Sequence, residues 1–114
     1  MTFTEAVKSG FNNYSAFAGR ASRSAFWYWA LFAAIVGTIA STIDRMLGFP
    51  MLLQTIVNLG LLLPGLAVGV RRLHDIGKPW KYMLIGLIPI LGWAYLIYLY
   101  VQPSVGSNEY GEPA

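Results

Sequence analysis

Cysteine is absent from this chain of 114 residues, so disulfides, thiolate metal sites and a cysteine nucleophile are excluded. Charge is scarce too: only 11% of residues are Asp, Glu, Lys or Arg, against about 25% in an ordinary soluble domain. Three stretches hold no charge at all, from Ser24 to Ile43, Met46 to Val70 and Tyr82 to Asn108. Each reaches the roughly 20 residues that a helix needs to cross about 30 Å of hydrocarbon. With 56% hydrophobic residues and so little polar surface, a water-soluble fold is excluded. The chain also lacks a Gly-rich phosphate loop, a GxSxG elbow, a paired-carboxylate constellation and an HExxH motif. All five acids lie outside the apolar runs, which argues against an ion-coupled transporter. No cofactor or metal is implied.

The basic residues that are present give a net charge of +3, but they cluster at the ends of the apolar runs. That placement encodes membrane orientation, and a nucleic-acid partner is not needed to explain it. The first apolar run exceeds the usual signal-peptide core and lacks a convincing cleavage site, so it reads as a retained helix.

The expected fold is an all-α membrane protein: three transmembrane helices in a small bundle, preceded by a short amphipathic interfacial helix. The whole chain, 1–114, forms one membrane domain. In residues 1–18, Phe3, Val7, Phe11, Tyr14 and Ala18 recur on one helical face, and Thr2 and Glu5 have capping-box spacing. The alternative is a frayed tail, because Gly10 and two asparagines lower helix propensity. Arg20 and Arg23 precede Trp27, Tyr28 and Trp29, the arrangement of a helix entering lipid, and the first crossing is expected over 24–43. Within it Ala33, Gly37 and Ser41 form a small-residue stripe suited to close helix approach.

A short connection ending at Pro50 predicts an antiparallel hairpin with the second crossing, 50–70, whose helix continues to about residue 75. On that helix Gln54, Asn58, Leu61, Gly65, Gly69 and Arg72 share a sector of roughly 80°, a polar and small face that should meet protein. Pro64 should bend it. The third crossing is expected over 80–101, with aromatics at both ends, although Pro89 between Gly86 and Gly92 leaves a re-entrant loop as the alternative. The polar tail, 102–114, is expected to be at most locally ordered. Seven Lys and Arg residues in the N-terminal segment and the 71–81 loop, against Arg45 alone in the 44–49 loop, place the N-terminus in the cytoplasm. Three crossings would then put the C-terminus outside, on the periplasmic side.

The densest polar group is Arg71, Arg72, Leu73, His74 and Asp75. His74 beside Asp75 suggests metal binding or proton transfer, yet neighbours on a helix point about 100° apart. Spacings of three and four instead suit a salt-bridged helix end. A second reading joins Arg20, Arg23, Arg71, Arg72, His74 and Asp75 as a cluster for anionic lipid.

Three stretches resemble a known family: Phe17-Ala-Gly-Arg20-Ala-Ser-Arg23, then Arg71-Arg-Leu-His-Asp75-Ile-Gly77 with a tryptophan close behind, then Gly106-Ser-Asn-Glu-Tyr110-Gly-Glu-Pro113. The chain resembles the bacterial YhaH/YhaI inner-membrane proteins, domain of unknown function number eight hundred and five. One departure is Gly77-Lys-Pro-Trp80 in place of the family's Gly-x-x-Gly-Trp turn. The resemblance implies a small bacterial inner-membrane protein and brings no catalytic residues. The expected function is a non-catalytic structural or assembly role, with membrane lipids, a homo-oligomer or a larger membrane partner. Gly37, Gln54, Asn58, Gly65 and Gly69 are the candidate packing residues. An oligomeric transporter or channel component is the first alternative, and a lipid-phosphate-handling membrane enzyme the second.

Overall fold

The structure, a computed structural model, describes residues 2–112. Met1, the first residue of the expected interfacial segment, and Pro113 and Ala114, the end of the expected tail, lie outside the described residues. The described chain is helical: α1 is Phe3–Asn12, α2 Arg23–Leu47, α3 Leu52–Asp75, followed by a 3-10 helix Trp80–Leu87 and α4 Leu91–Tyr100.

Helix α1 starts at the expected capping box, in which the Thr2 hydroxyl accepts from the Glu5 N–H at 3.2 Å and the Glu5 carboxylate from the Thr2 N–H at 2.9 Å. It stops at Asn12, short of the expected residue 18, and Asn13 returns its side-chain amide to the Ser9 carbonyl. Gly10, which lowers helix propensity, has a packing reason: a Cβ there would sit 2.2 Å from Trp29 Cε3. The absence of a side chain lets α1 lie on α2, where Phe11 meets Trp29 and Phe32 edge-on at 5.1 and 5.7 Å.

Helices α2 and α3 form the expected antiparallel hairpin, joined by Gly48 in the left-handed region at φ 73. Pro50 stands in this turn, and α3 begins only at Leu52. The N-cap of α3, Met51, offers no side-chain bond, so the orphan amides are met from across the turn. The Asp44 carboxylate accepts from Leu53 N at 2.8 Å and Gln54 N at 2.9 Å. Both helices are long and apolar enough to cross a membrane, and only 11% and 28% of their most apolar eighteen-residue windows is buried. Core helices of a soluble protein would be covered. Leu31, Ile35, Ile39, Ile56, Leu59 and Leu62 instead face outward, whereas Arg72 and Asp75 are wholly buried.

The segment 80–101 departs from the single helix expected there. A 3-10 helix runs to Leu87, and the chain then turns through Pro89 and Ile90, where Leu91 N bonds Pro89 O at 2.7 Å around Ile90 at φ 64. This is a γ-turn of positive φ, strained for a β-branched residue. Helix α4 then doubles back, with Trp93 Nε1 donating to Gly86 O at 2.9 Å. Gly92 makes the return possible, since a Cβ there would lie 2.0 Å from Ile85 O. Eight 3-10 residues and ten α-helical residues rise about 16 and 15 Å, half of a hydrocarbon core each.

The return brings the tail back to the start of α2. Tail residues 105, 106 and 111 hydrogen-bond Arg20, so the tail lies at the same end of the molecule as the start of α2. Nor is the tail merely locally ordered, because Asn108 and Gly111 exchange N–H···O bonds of 3.1 and 3.0 Å and Val105 N donates to Asp75 O at 3.0 Å.

Candidate functional site

The C-terminal end of α3 is its most enclosed part, with Ala67 through Asp75 all buried. At this end the three stretches that carry the family resemblance meet. Asp75 is the centre: one carboxylate oxygen accepts from Arg20 Nε at 2.9 Å, the other from Arg72 Nη1 at 2.8 Å and from the Ser104 hydroxyl. All three ionic side chains are at most 2% exposed.

Arg20 uses every donor it has. Besides Nε, its Nη1 donates to Gly106 O and Gly111 O, each at 2.9 Å, and its Nη2 to Asp75 O at 2.8 Å and Val105 O at 2.6 Å. The guanidinium has five N–H groups, and five acceptors surround it. Arg72 also bonds backward to α4, through Nε to Tyr100 O at 3.2 Å and Nη2 to Gln102 O. Arg23 reaches Val101 O at 3.3 Å. Cations thus satisfy the carbonyls at and just beyond the C-terminus of α4, where the helix dipole is negative.

His74 points away from Asp75, as the 100° spacing requires. Its Nδ1 donates to Gly19 O at 2.8 Å, its own carbonyl accepts from Asn108 Nδ2 at 3.1 Å, and the Tyr110 ring stacks on it at 3.9 Å and 1°. Burial and neighbouring Glu109 push the Tyr110 hydroxyl upward from its ordinary pKa. Among the described residues no three His, Cys, Asp or Glu side chains lie together as a metal site.

Arg71 faces the other way, onto the turn that follows α1, and is 6% exposed. Its Nη1 donates to Asn13 O at 3.1 Å and to Ala16 O at 3.5 Å. The expected 71–75 spacing therefore forms no ion pair, whereas the 72–75 spacing does. Arg71 borders a cleft of about 640 Å³ between α1, residues 13–22, the start of α2 and α3.

Of the candidate packing residues, Gly69 has the closest contacts, because a Cβ there would lie 3.2 Å from Met83 Cε and 3.4 Å from the Tyr100 hydroxyl. At Gly65 it would lie 3.7 Å from Trp29 Nε1, and at Gly37 nothing comes within 4 Å. Small residues on α3 thus receive the aromatic ring of α2 and the returning hairpin. Gln54 is half-buried and Asn58 exposed. Two contributors escaped sequence reasoning: Ser104 and the carbonyls of the tail. The only available signal was that the tail motif combines Gly106, Asn108 and Gly111, turn residues without an obvious partner.

The family profile described as "Protein of unknown function (DUF805)" matches residues 14–112. Inner membrane protein YhaI of Escherichia coli (strain K12) is 38% identical over 101 residues, covering 87% of this chain and 86% of that protein. Inner membrane protein YhaH of the same strain is 35% identical over 105 residues, 87% of each. No solved structure matches. The match takes in every residue of the Asp75 network, from Arg20 to Gly111, and the chain belongs to the DUF805 family.

Proposed function

We propose that this chain is an integral protein of the bacterial inner membrane that acts without catalysis, by assembling with a second copy of itself. Helices α2 and α3 cross the bilayer, and the hairpin 80–100 enters it and returns. Both termini lie in the cytoplasm. The names of the relatives support the inner membrane, and the outward-facing leucines and isoleucines support insertion. The orientation rests on charge: once the tail joins the end bearing Arg20, Arg71 and Arg72, that end holds seven of the eight Lys and Arg residues.

The observation that carries the assembly role is Asn58. Its side chain is exposed on an apolar stretch of α3, and no partner for its amide is found among the described residues. It borders a shallow groove of about 260 Å³ with Ala33, Leu62 and Gly65. In hydrocarbon an unpaired amide is costly, and a carboxamide is both donor and acceptor, so a second Asn58 across a two-fold axis satisfies it. The residues that suggest an enzyme are otherwise engaged: His74 lies under Tyr110, and Asp75 is shared between two arginines.

Because the chain has no cysteine, Leu62→Cys introduces a single thiol at this face. Oxidation in native membranes is expected to give a disulfide-linked dimer, and adding Asn58→Leu should reduce it several-fold. Absence of the dimer from Leu62→Cys, or an undiminished dimer in the double variant, overturns the reading. A cytoplasm-active reporter fused to the C-terminus should be active, and a silent one refutes the orientation.

A further inference from the structure

We infer that the cleft beside Arg71 binds a phosphate group, in the form of a phospholipid headgroup. This goes beyond self-assembly and does not depend on it. Arg71 is 94% buried by its 6% exposure, yet no carboxylate pairs with it among the described residues. The buried acid at this end, Asp75, is taken by Arg20 and Arg72, and neither Glu109 nor Glu112 of the tail forms an ion pair with Arg71. Only Nη1 of Arg71 has protein acceptors, both backbone carbonyls, which leaves Nε and Nη2 for a ligand. An enclosed guanidinium without an anion is unfavourable, and its planar fork suits two phosphate oxygens.

The rest of the cleft agrees with an anionic occupant. Ser22, the N-cap of α2, and Ser24 and Ala25 of its first turn form part of its wall, placing the positive end of a 25-residue helix dipole there. Ser9 of α1 adds a hydroxyl opposite, oriented by the Asn13 side-chain amide that donates to it at 3.4 Å. No acidic residue lines it. At about 640 Å³ it exceeds the room that a bare phosphate needs and matches an esterified phosphate with its substituents. The cleft also opens where α2 begins, at the arginine and tryptophan level that marks the headgroup layer. Arg20 and Arg72 do not compete, since they direct their donors to protein acceptors, and Arg23 is exposed and does not line the cleft.

The test uses the full chain in an uncharged maltoside detergent, with native mass spectrometry and thermal unfolding as readouts. Phosphatidylglycerol, phosphatidylcholine and inorganic phosphate are added separately. The parent protein is expected to retain one phosphatidylglycerol after the detergent shell is removed and to unfold at a higher temperature with it. Arg71→Gln should lose this adduct about tenfold or more. Lys81→Gln removes one charge on the exposed surface and should retain it. Because Arg71→Gln also loses two bonds to the 13–16 segment, Ser9→Phe serves as a second variant that fills the cleft and leaves the arginine in place. Loss of the adduct in Ser9→Phe, with retention in Lys81→Gln, supports the site. Arg71-dependent stabilisation by inorganic phosphate alone, with no lipid adduct, supports the phosphate chemistry and overturns the lipid as its source. An adduct that persists in folded Ser9→Phe, or falls equally in Lys81→Gln, overturns the site altogether.

Discussion

Asp75→Asn removes one charge from the buried network while keeping its shape. The carboxylate is wholly buried and accepts from Arg20 at 2.9 Å, Arg72 at 2.8 Å and the Ser104 hydroxyl. Asparagine keeps one acceptor oxygen, so either the Arg20 bond or the Arg72 and Ser104 bonds survive, but two guanidiniums then face each other across a neutral amide. Breaking a buried ion pair from one side costs about 3–5 kcal/mol, because the remaining charge is left uncompensated. Here the arginines retain bonds to backbone carbonyls, four from Arg20 and two from Arg72, which moves the expectation toward about 3 kcal/mol. Against a typical stability of about 5–15 kcal/mol, the variant should still fold. The tail should open first, since its anchors are Arg20 and the Asp75 backbone. Equilibrium unfolding in mixed micelles measures the loss, and limited proteolysis measures tail release. A cost below about 1 kcal/mol with an equally protected tail would show that the network does not hold this end of the molecule together.

Three further outcomes are expected. Gly92→Ala places a Cβ 2.0 Å from Ile85 O, so the hairpin must open at a cost of about 1–3 kcal/mol, read as lower thermal stability and a shift in Trp93 fluorescence as its bond to Gly86 is lost. Asp44→Ala removes the acceptor for two amides of α3 and should cost about 0.5–2 kcal/mol, with faster amide exchange at Leu53 and Gln54; unchanged exchange there would contradict the capping role. The Glu5 carboxyl is held below its ordinary value by the Thr2 backbone N–H and then by the Thr2 hydroxyl. A depressed carboxyl contributes stability above its unfolded-state value and loses it as pH falls through the folded-state value. Exchange protection of α1 should therefore be flat above the ordinary glutamate range and decline below it, and Glu5→Gln should flatten that decline.

Much of the architecture follows from local features that no tertiary contact can reverse. Charge-free runs as long as a bilayer is thick require helices, and a connection as short as residues 48–51 forces α2 and α3 antiparallel. The Thr2 and Glu5 capping box is equally local, and it starts α1 where the sequence places it. The path of residues 80–101 is different. Hydropathy along 82–101 is the same whether the chain crosses or returns, because mean hydropathy carries no direction. The outcome depends on whether the break at Pro89 and Ile90 is compensated by packing, and that compensation comes from Gly92 against Ile85, Trp93 on Gly86 and Arg72 on the α4 terminus. The return in turn decides the role of the tail and the assembly of the site: Arg20 and Asp75 are 55 residues apart, and Arg20 and Gly111 are 91 apart. Sequence spacing can pair Arg72 with Asp75 because one helix turn joins them. It cannot choose between Arg71 and Arg72, nor bring in Arg20 and Ser104, because those partners are set by which face of α3 the returning hairpin covers.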